Sequence, residues 1–143
     1  MLRFDHIGTV VDDLNAAEDF FVALGFERAG EMEVSGEAVD CINGLSGVRA
    51  EIVMLRAPDG GANLELSKYH APVFGEREIP APANRPGYRH ICLEVDDLDA
   101  RLSDVRARGF DTVGDVCEYG GAYRLCYVRG PEGLIVELGE RVA

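Results

Sequence analysis

Positive charge is scarce in this chain. Its 143 residues carry 14 Lys and Arg against 26 Asp and Glu, for a formal net charge of −12. A surface with that balance repels phosphate backbones, which argues against nucleic acid and anionic membranes as partners and leaves small molecules. Long apolar runs are also missing. No stretch approaches the roughly 20 residues that a membrane helix requires. Nor does a basic region followed by a long apolar segment follow Met1, so no secretory signal is expected and the expected location is the cytoplasm. Cysteine is sparse as well. Cys41, Cys92, Cys117 and Cys126 form no C-x-x-C pair, and a chain of this length does not need a disulfide framework. Cys92 and Cys126 lie in apolar runs and are expected to be small buried hydrophobes.

What remains is an ordinary globular composition, 47% hydrophobic and 28% charged, long enough for one domain with a real core. Its most informative property is internal repetition. Phe4-Asp5-His6-Ile7 through Val11-Asp12-Asp13-Leu14 returns as Tyr88-Arg89-His90-Ile91 through Val95-Asp96-Asp97-Leu98, 84 positions later. Gly25-Phe26 returns as Gly109-Phe110 at the same offset. The ends of the halves match too: Pro58-Asp59-Gly60 leads to Leu64-Glu65-Leu66, and Pro131-Glu132-Gly133 leads to Val136-Glu137-Leu138. Four of the six prolines fall between Ala71 and Pro86, a segment that cannot continue a helix or a central strand. We therefore expect a single domain over 1–143, with module 1 about 1–70, a connector 71–86, and module 2 about 87–143.

Each half reads as a strand, a helix and three more strands. In the first helix Leu14, Ala17, Phe21 and Leu24 share a face, with Asn15 as the expected N-cap and Gly25 as the stop. In the second, Leu98, Leu102 and Val105 repeat the pattern after an acidic start at Asp97 and Asp99, with Gly109 as the stop. The segment Val34–Gly47 has no clear periodicity. Its role is not legible.

Side chains alternate along a strand. Ile7 and Val11 then take the helix side of the first strand, and His6, Gly8 and Val10 the other. In the strand opening the second half, Ile91, Leu93 and Val95 take the helix side, leaving His90, Cys92 and Glu94 opposite. Glu65 lies between Leu64 and Leu66, and Glu137 between Val136 and Leu138, so both glutamates also point away from the helices. One strand histidine or glutamate is usually a solvated or satisfied side chain. A His and a Glu recurring at equivalent positions of two repeats is more specific. Grouping two carboxylates and two imidazoles in a cavity is costly unless a divalent cation compensates, so His6, Glu65, His90 and Glu137 are the expected metal ligands. Arg124 and Arg129 are candidates for an anionic substrate group, and Tyr69, Tyr119, Tyr123 and Tyr127 for a cavity mouth. His70 is expected to be exposed.

At Asp5-His6-Ile7-Gly8, Gly87-Tyr88-Arg89-His90-Ile91 and Gly130-Pro131-Glu132-Gly133-Leu134-Ile135-Val136-Glu137-Leu138 the chain resembles the glyoxalase, bleomycin-resistance and extradiol-dioxygenase superfamily, also called vicinal oxygen chelate. The resemblance covers nearly the whole chain. It implies an α+β fold of two βαβββ modules, a curled eight-stranded mixed sheet around one metal with helices outside, and a homodimer. The two-histidine, two-glutamate set is similar to glyoxalase I-like members. Methylmalonyl-CoA epimerases commonly carry glutamine at the position of Glu65, and extradiol dioxygenases use two histidines and one carboxylate on iron. The implied function is proton transfer beside a metal-bound carbonyl of a small 2-oxo or thioester-type substrate. Glu137 or Glu65 would be the base, with nickel, zinc, cobalt or manganese as the metal. The alternatives are an iron(II) dioxygenase and a metal-free module that binds a drug or metabolite. Ser67 to Pro72 and the long Glu31–Gly47 region depart from a lactoylglutathione lyase, and no full glutathione-binding set is present.

Overall fold

A computed structural model describes residues 1–76 and 79–143; residues 77 and 78 of the expected connector lie outside the described residues. The chain forms two compact units, Met1–Arg77 and Glu78–Ala143. The first contains β1 (His6–Val10), α1 (Leu14–Ala23), β2 (Glu27–Ser35), α2 (Glu37–Asn43), β3 (Arg49–Arg56) and β4 (Asn63–Ala71). The second contains β5 (His90–Glu94), α3 (Leu98–Ala107), β6 (Asp111–Thr112), β7 (Cys117–Tyr119), β8 (Tyr123–Arg129), a 3-10 turn at Pro131–Gly133, and β9 (Ile135–Arg141). The result is the expected α+β fold of two βαβββ modules.

Both sheets are mixed. The first runs β1-β4-β3-β2 and the second β5-β9-β8-β6, with β7 also on β8. The opening strand of each unit lies parallel to its last strand, β1 on β4 and β5 on β9. The remaining neighbours are antiparallel. Among the described residues nine strands form where eight are expected, because one strand of the second unit breaks into β6 and β7, both pairing β8.

The repeated Val-Asp-Asp-Leu motif is a helix start. Asp13 and Asp97, the second aspartates of the two motifs, are the N-caps, each accepting a 3.0 Å hydrogen bond from the backbone N–H of Ala16 or Ala100. The cap of α1 is thus Asp13 rather than Asn15. Asp13 has the extended backbone that a cap needs, and Asn15 is already in the first turn. Gly25 and Gly109 follow the helix ends with φ of +110° and +89°, angles that a side chain disfavours. Asp13→Ala and Asp97→Ala should each cost about 1 kcal/mol of stability, read from denaturant unfolding, the usual value for a lost cap. No change in midpoint for either would remove the capping role.

In the first unit α1 buries Ala17, Phe20 and Phe21 against a face containing Val53, Leu55, Leu64 and Leu66. In the second, Leu98, Leu102 and Val105 of α3 are buried, as are Val128, Val136 and Leu138 of the sheet. The burial alternates as the sequence predicts: Val11 is 1% exposed and Val10 55%. The unreadable stretch 34–47 contains the end of β2 and then α2, a helix with no buried residue, hence its lack of apolar periodicity. The Asp40 carboxylate closes its loop by accepting from the backbone N–H groups of Gly47 and Val48 at 2.9 and 2.8 Å. Among the described residues no helix is long and apolar enough to cross a membrane.

Candidate metal and substrate site

In the first unit, Gly8 is in register with Glu65 on the parallel pair β1/β4. His6, two residues before Gly8, shares that face. The His6 Nε2 atom stands 3.4 Å from Glu65 Oε2. Its Nδ1 lies 2.8 Å from Asp5 Oδ2, and Asp5 is in turn ion-paired with Arg3. The hydrogen bond to Asp5 raises the His6 pKa above the ordinary imidazole value, and the charge of Glu65 adds to the effect. In the neutral form, Nδ1–H donates to Asp5 and the Nε2 lone pair faces Glu65, the arrangement typical of metal-binding histidines. Ser67, two residues along β4, donates its hydroxyl to the other Glu65 oxygen at 3.1 Å. Gly8 keeps the space beside that oxygen open: a Cβ there would stand 4.0 Å from Glu65 Oε1.

The second unit repeats the pair. His90 Nε2 stands 3.1 Å from Glu137 Oε2, and the imidazole lies 4.8 Å from the Tyr127 ring at 38°. Cys92 is in register with Glu137. Partial desolvation by its neighbours, first, and the Glu137 charge push its thiol pKa up. Here the sequence expectation fails. Cys126 is buried, but Cys92 is exposed, because alternation puts it on the His90 face rather than the helix face.

The four expected ligands therefore occur as two His–Glu pairs, one in each unit. Among the described residues no group of three or more His, Cys, Asp or Glu side chains gathers in a way that could hold a metal. The donor chemistry of each pair does fit a divalent cation. Nitrogen and oxygen ligands each about 2.1 Å from one ion stand roughly 3 Å apart, which is the spacing of both pairs. A cavity of about 250 Å³ in the first unit is lined by Leu14, Glu31, Met32, Glu33, Glu51, Ile52 and Val53. Strand parity puts its glutamates on the helix face, so it is separate from the His6–Glu65 pair.

Other expected residues have structural partners. Arg124 is held by Asp99 at 2.9 Å and Glu140 at 3.0 Å. Arg129 donates to the carbonyls of Ala81 and Gly133 at 2.9 and 3.1 Å. His70 is ion-paired with Glu51. Tyr69, on the Glu65 face, donates its hydroxyl to Asn43 of α2 at 2.6 Å, which puts α2 on that side of the sheet. Sequence reasoning missed Asp5 and Ser67. Asp5 adjoins His6, and Ser67 continues the alternation from Glu65, so the signal was present.

A crystal structure of a glyoxalase family protein from Bacillus cereus superimposes with a TM-score of 0.94 at 36% identity, covering 100% of this chain and 96% of that one. Glyoxalase I of Leishmania major, a trypanothione-dependent enzyme, superimposes with a TM-score of 0.66 at 20% identity, covering 96% and 86%; at that identity the likeness concerns the fold. The uncharacterized protein YwbC of Bacillus subtilis is 26% identical over 141 residues, 97% of this chain and 98% of its own length. The family model described as glyoxalase/bleomycin resistance protein/dioxygenase superfamily matches residues 5–127. With that match over most of its length, the chain belongs to the glyoxalase/bleomycin resistance protein/dioxygenase superfamily.

Proposed function

We propose that this protein is a metal-dependent lyase or isomerase of the glyoxalase type, moving a proton at the carbon next to a carbonyl of a small 2-oxo or thioester-type substrate. The observation that carries this reading is the repeated pair: an imidazole Nε2 facing a carboxylate in each unit, at 3.4 and 3.1 Å, with Asp5 on the far nitrogen of His6. His6, Glu65, His90 and Glu137 are the proposed metal ligands, with nickel, zinc, cobalt and manganese all compatible with imidazole nitrogen and carboxylate donors. When bound, such an ion polarises a carbonyl and favours negative charge on its oxygen.

The remaining chemistry belongs to the side chains. A carboxylate of Glu65 or Glu137 takes the proton from the carbon and returns it to the neighbouring position. His6 and His90 hold their places, His6 through its bond to Asp5. Ser67 holds the second oxygen of Glu65, leaving one oxygen to work. We take the functional form to be a homodimer in the cytoplasm; sedimentation of the purified protein checks the subunit number.

The test is reconstitution of metal-free protein with nickel, zinc, cobalt, manganese or iron(II), followed by incubation with 2-oxo hemithioacetals and acyl thioesters in deuterated water. Deuterium should enter at the carbon next to the carbonyl. Oxygen uptake with catechols on the iron form would replace this reading with a dioxygenase. No metal bound under any condition would leave a binding module. Asp5→Asn should weaken metal affinity about 10- to 100-fold by freeing the His6 ring, the usual effect of removing a carboxylate that orients a ligand histidine. Calorimetric titration checks this, and an unchanged affinity would show that Asp5 does not orient the ring.

A further inference from the structure

On the Glu137 face of the second sheet, β9 presents Glu137, Gly139 and Arg141 in succession. Their register partners on β8 are Tyr127, Leu125 and Tyr123. From Glu137 to the end of β9 the face has three cross-strand rows, preceded by a fourth made of Arg129 and Ile135. The first contains Tyr127 and Glu137, near His90. In the middle row Leu125 lies over Gly139, so closely that a Cβ on Gly139 would stand 2.9 Å from Leu125 Cδ2. In the last row Arg141 Nη2 donates to the Tyr123 hydroxyl at 2.8 Å, and the guanidinium sits 5.3 Å from the centre of the Tyr123 ring.

Three observations give this row a role. The first is direction. Beyond Glu137 at the other end, the face is closed by Ala81, whose carbonyl accepts from both Arg129 and Arg89; Ile135 there is 4% exposed. Along the strands, a ligand whose reacting end meets His90 and Glu137 can extend only toward Leu125 and Arg141. The second is charge. In a chain of net charge −12, Arg124, Arg106, Arg56, Arg28 and Arg3 are all ion-paired with carboxylates. Among the described residues Arg141, like Arg89 and Arg129, which donate to backbone carbonyls, has no carboxylate partner; unlike those two it is exposed, and a neutral phenol fixes its direction and leaves its charge unspent. The third is spacing. Four residues of strand separate the Cα atoms of Glu137 and Arg141 by about 13 Å, and the apolar Leu125 floor fills the interval.

We propose that Arg141, positioned by Tyr123, binds a carboxylate at the far end of the substrate, separated from the reacting carbonyl by a short apolar segment lying on Leu125. The placement of the reacting end rests on the function proposed above. A singly charged carboxylate fits better than a doubly charged phosphate. Glu94, in register with Gly139 on β5, puts a negative charge on the same face, and one oxyanion matches the single guanidinium that the last row presents.

The test starts with metal-free, isotope-labelled full-length protein, titrated with octanoate, octanamide and octyl phosphate and followed by NMR at the Arg141 Nε–H and the Leu125 methyls. Octanoate should saturate both signals and bind about ten-fold more tightly than octanamide, as expected for one charge-assisted bond. Arg141→Gln should remove that preference, and Arg141→Lys should keep part of it. No preference in the native protein, or one that survives Arg141→Gln, overturns the proposal. Tighter binding of octyl phosphate than of octanoate overturns the choice of carboxylate. A second titration, of zinc-loaded protein with octanohydroxamate and suberic acid monohydroxamate, tests the link to the reacting end. The added carboxylate should strengthen binding about ten-fold, and only when Arg141 is present. Equal binding of the two overturns that link while leaving the metal reading intact. Failure to bind zinc, nickel, cobalt, manganese and iron(II) alike defeats the metal reading, while the octanoate result still decides the role of Arg141.

Discussion

Replacing Glu65 and Glu137 together by glutamine leaves a folded protein that retains no metal and has no proton-transfer activity. The expectation follows from charge and ligand strength. An amide oxygen is a neutral, weaker donor than a carboxylate, and the double change removes both negative charges set against the cation. Removing a carboxylate that only orients a ligand costs 10- to 100-fold in affinity, so losing two direct ligands should cost more than about 100-fold. Each glutamate is half-buried and borders a histidine, and glutamine has the same shape. The metal-free fold should therefore tolerate the change with little effect on its unfolding midpoint. The measurement is metal content by mass spectrometry after purification, with thermal unfolding beside it. About one metal per chain in the native protein and none in the double variant is the expected result. Equal metal content in both would mean that these glutamates are not ligands.

The opposite pattern is expected one residue away. Leu66 has no exposed surface. It lies between Thr9 of β1 and Val53 of β3 in register and points to the side where α1 packs. Leu66→Ala should remove about 3 kcal/mol of stability, within the range for a large-to-small change in a close-packed core, where the lost burial and the residual cavity add. For a chain of this size that lowers Tm by roughly 10 °C. Metal affinity below the transition should stay close to native, because Leu66 faces away from His6 and Glu65. Unfolding by denaturant and by heat checks the first part. A loss under about 1 kcal/mol would mean that the α1–β4 contact is not part of the core. Adjacent residues on one strand thus separate stability from metal binding, the functional consequence of a side-chain period of two.

The same periodicity explains why so much was legible in the sequence. The repeat, the helix positions and the face on which each histidine and glutamate lies follow from local rules, and Val10 and Val11 obey them one residue apart. The first helix cap was misplaced because Asn15 and Asp13 are both good capping residues. The backbone at Asp13 decided between them. Cys92 was misjudged because an apolar neighbourhood in sequence was read as burial, when its two apolar neighbours point to the opposite face.

By itself, then, the sequence determined the two βαβββ modules, the parity of His6, Glu65, His90 and Glu137, and the net charge of −12. These depend on residue type and on spacing within single elements. Only the tertiary structure decided which partners the arginines meet. Arg124 and Arg129 have partners 25 and 48 residues away in the chain, and Arg141 meets Tyr123 only through the β8–β9 register. The structure likewise decided that 37–43 is a helix bearing on the Glu65 face, held there by Tyr69. Cross-strand register and long-range hydrogen bonds join residues that no local pattern links, and they appear only when the strands pair.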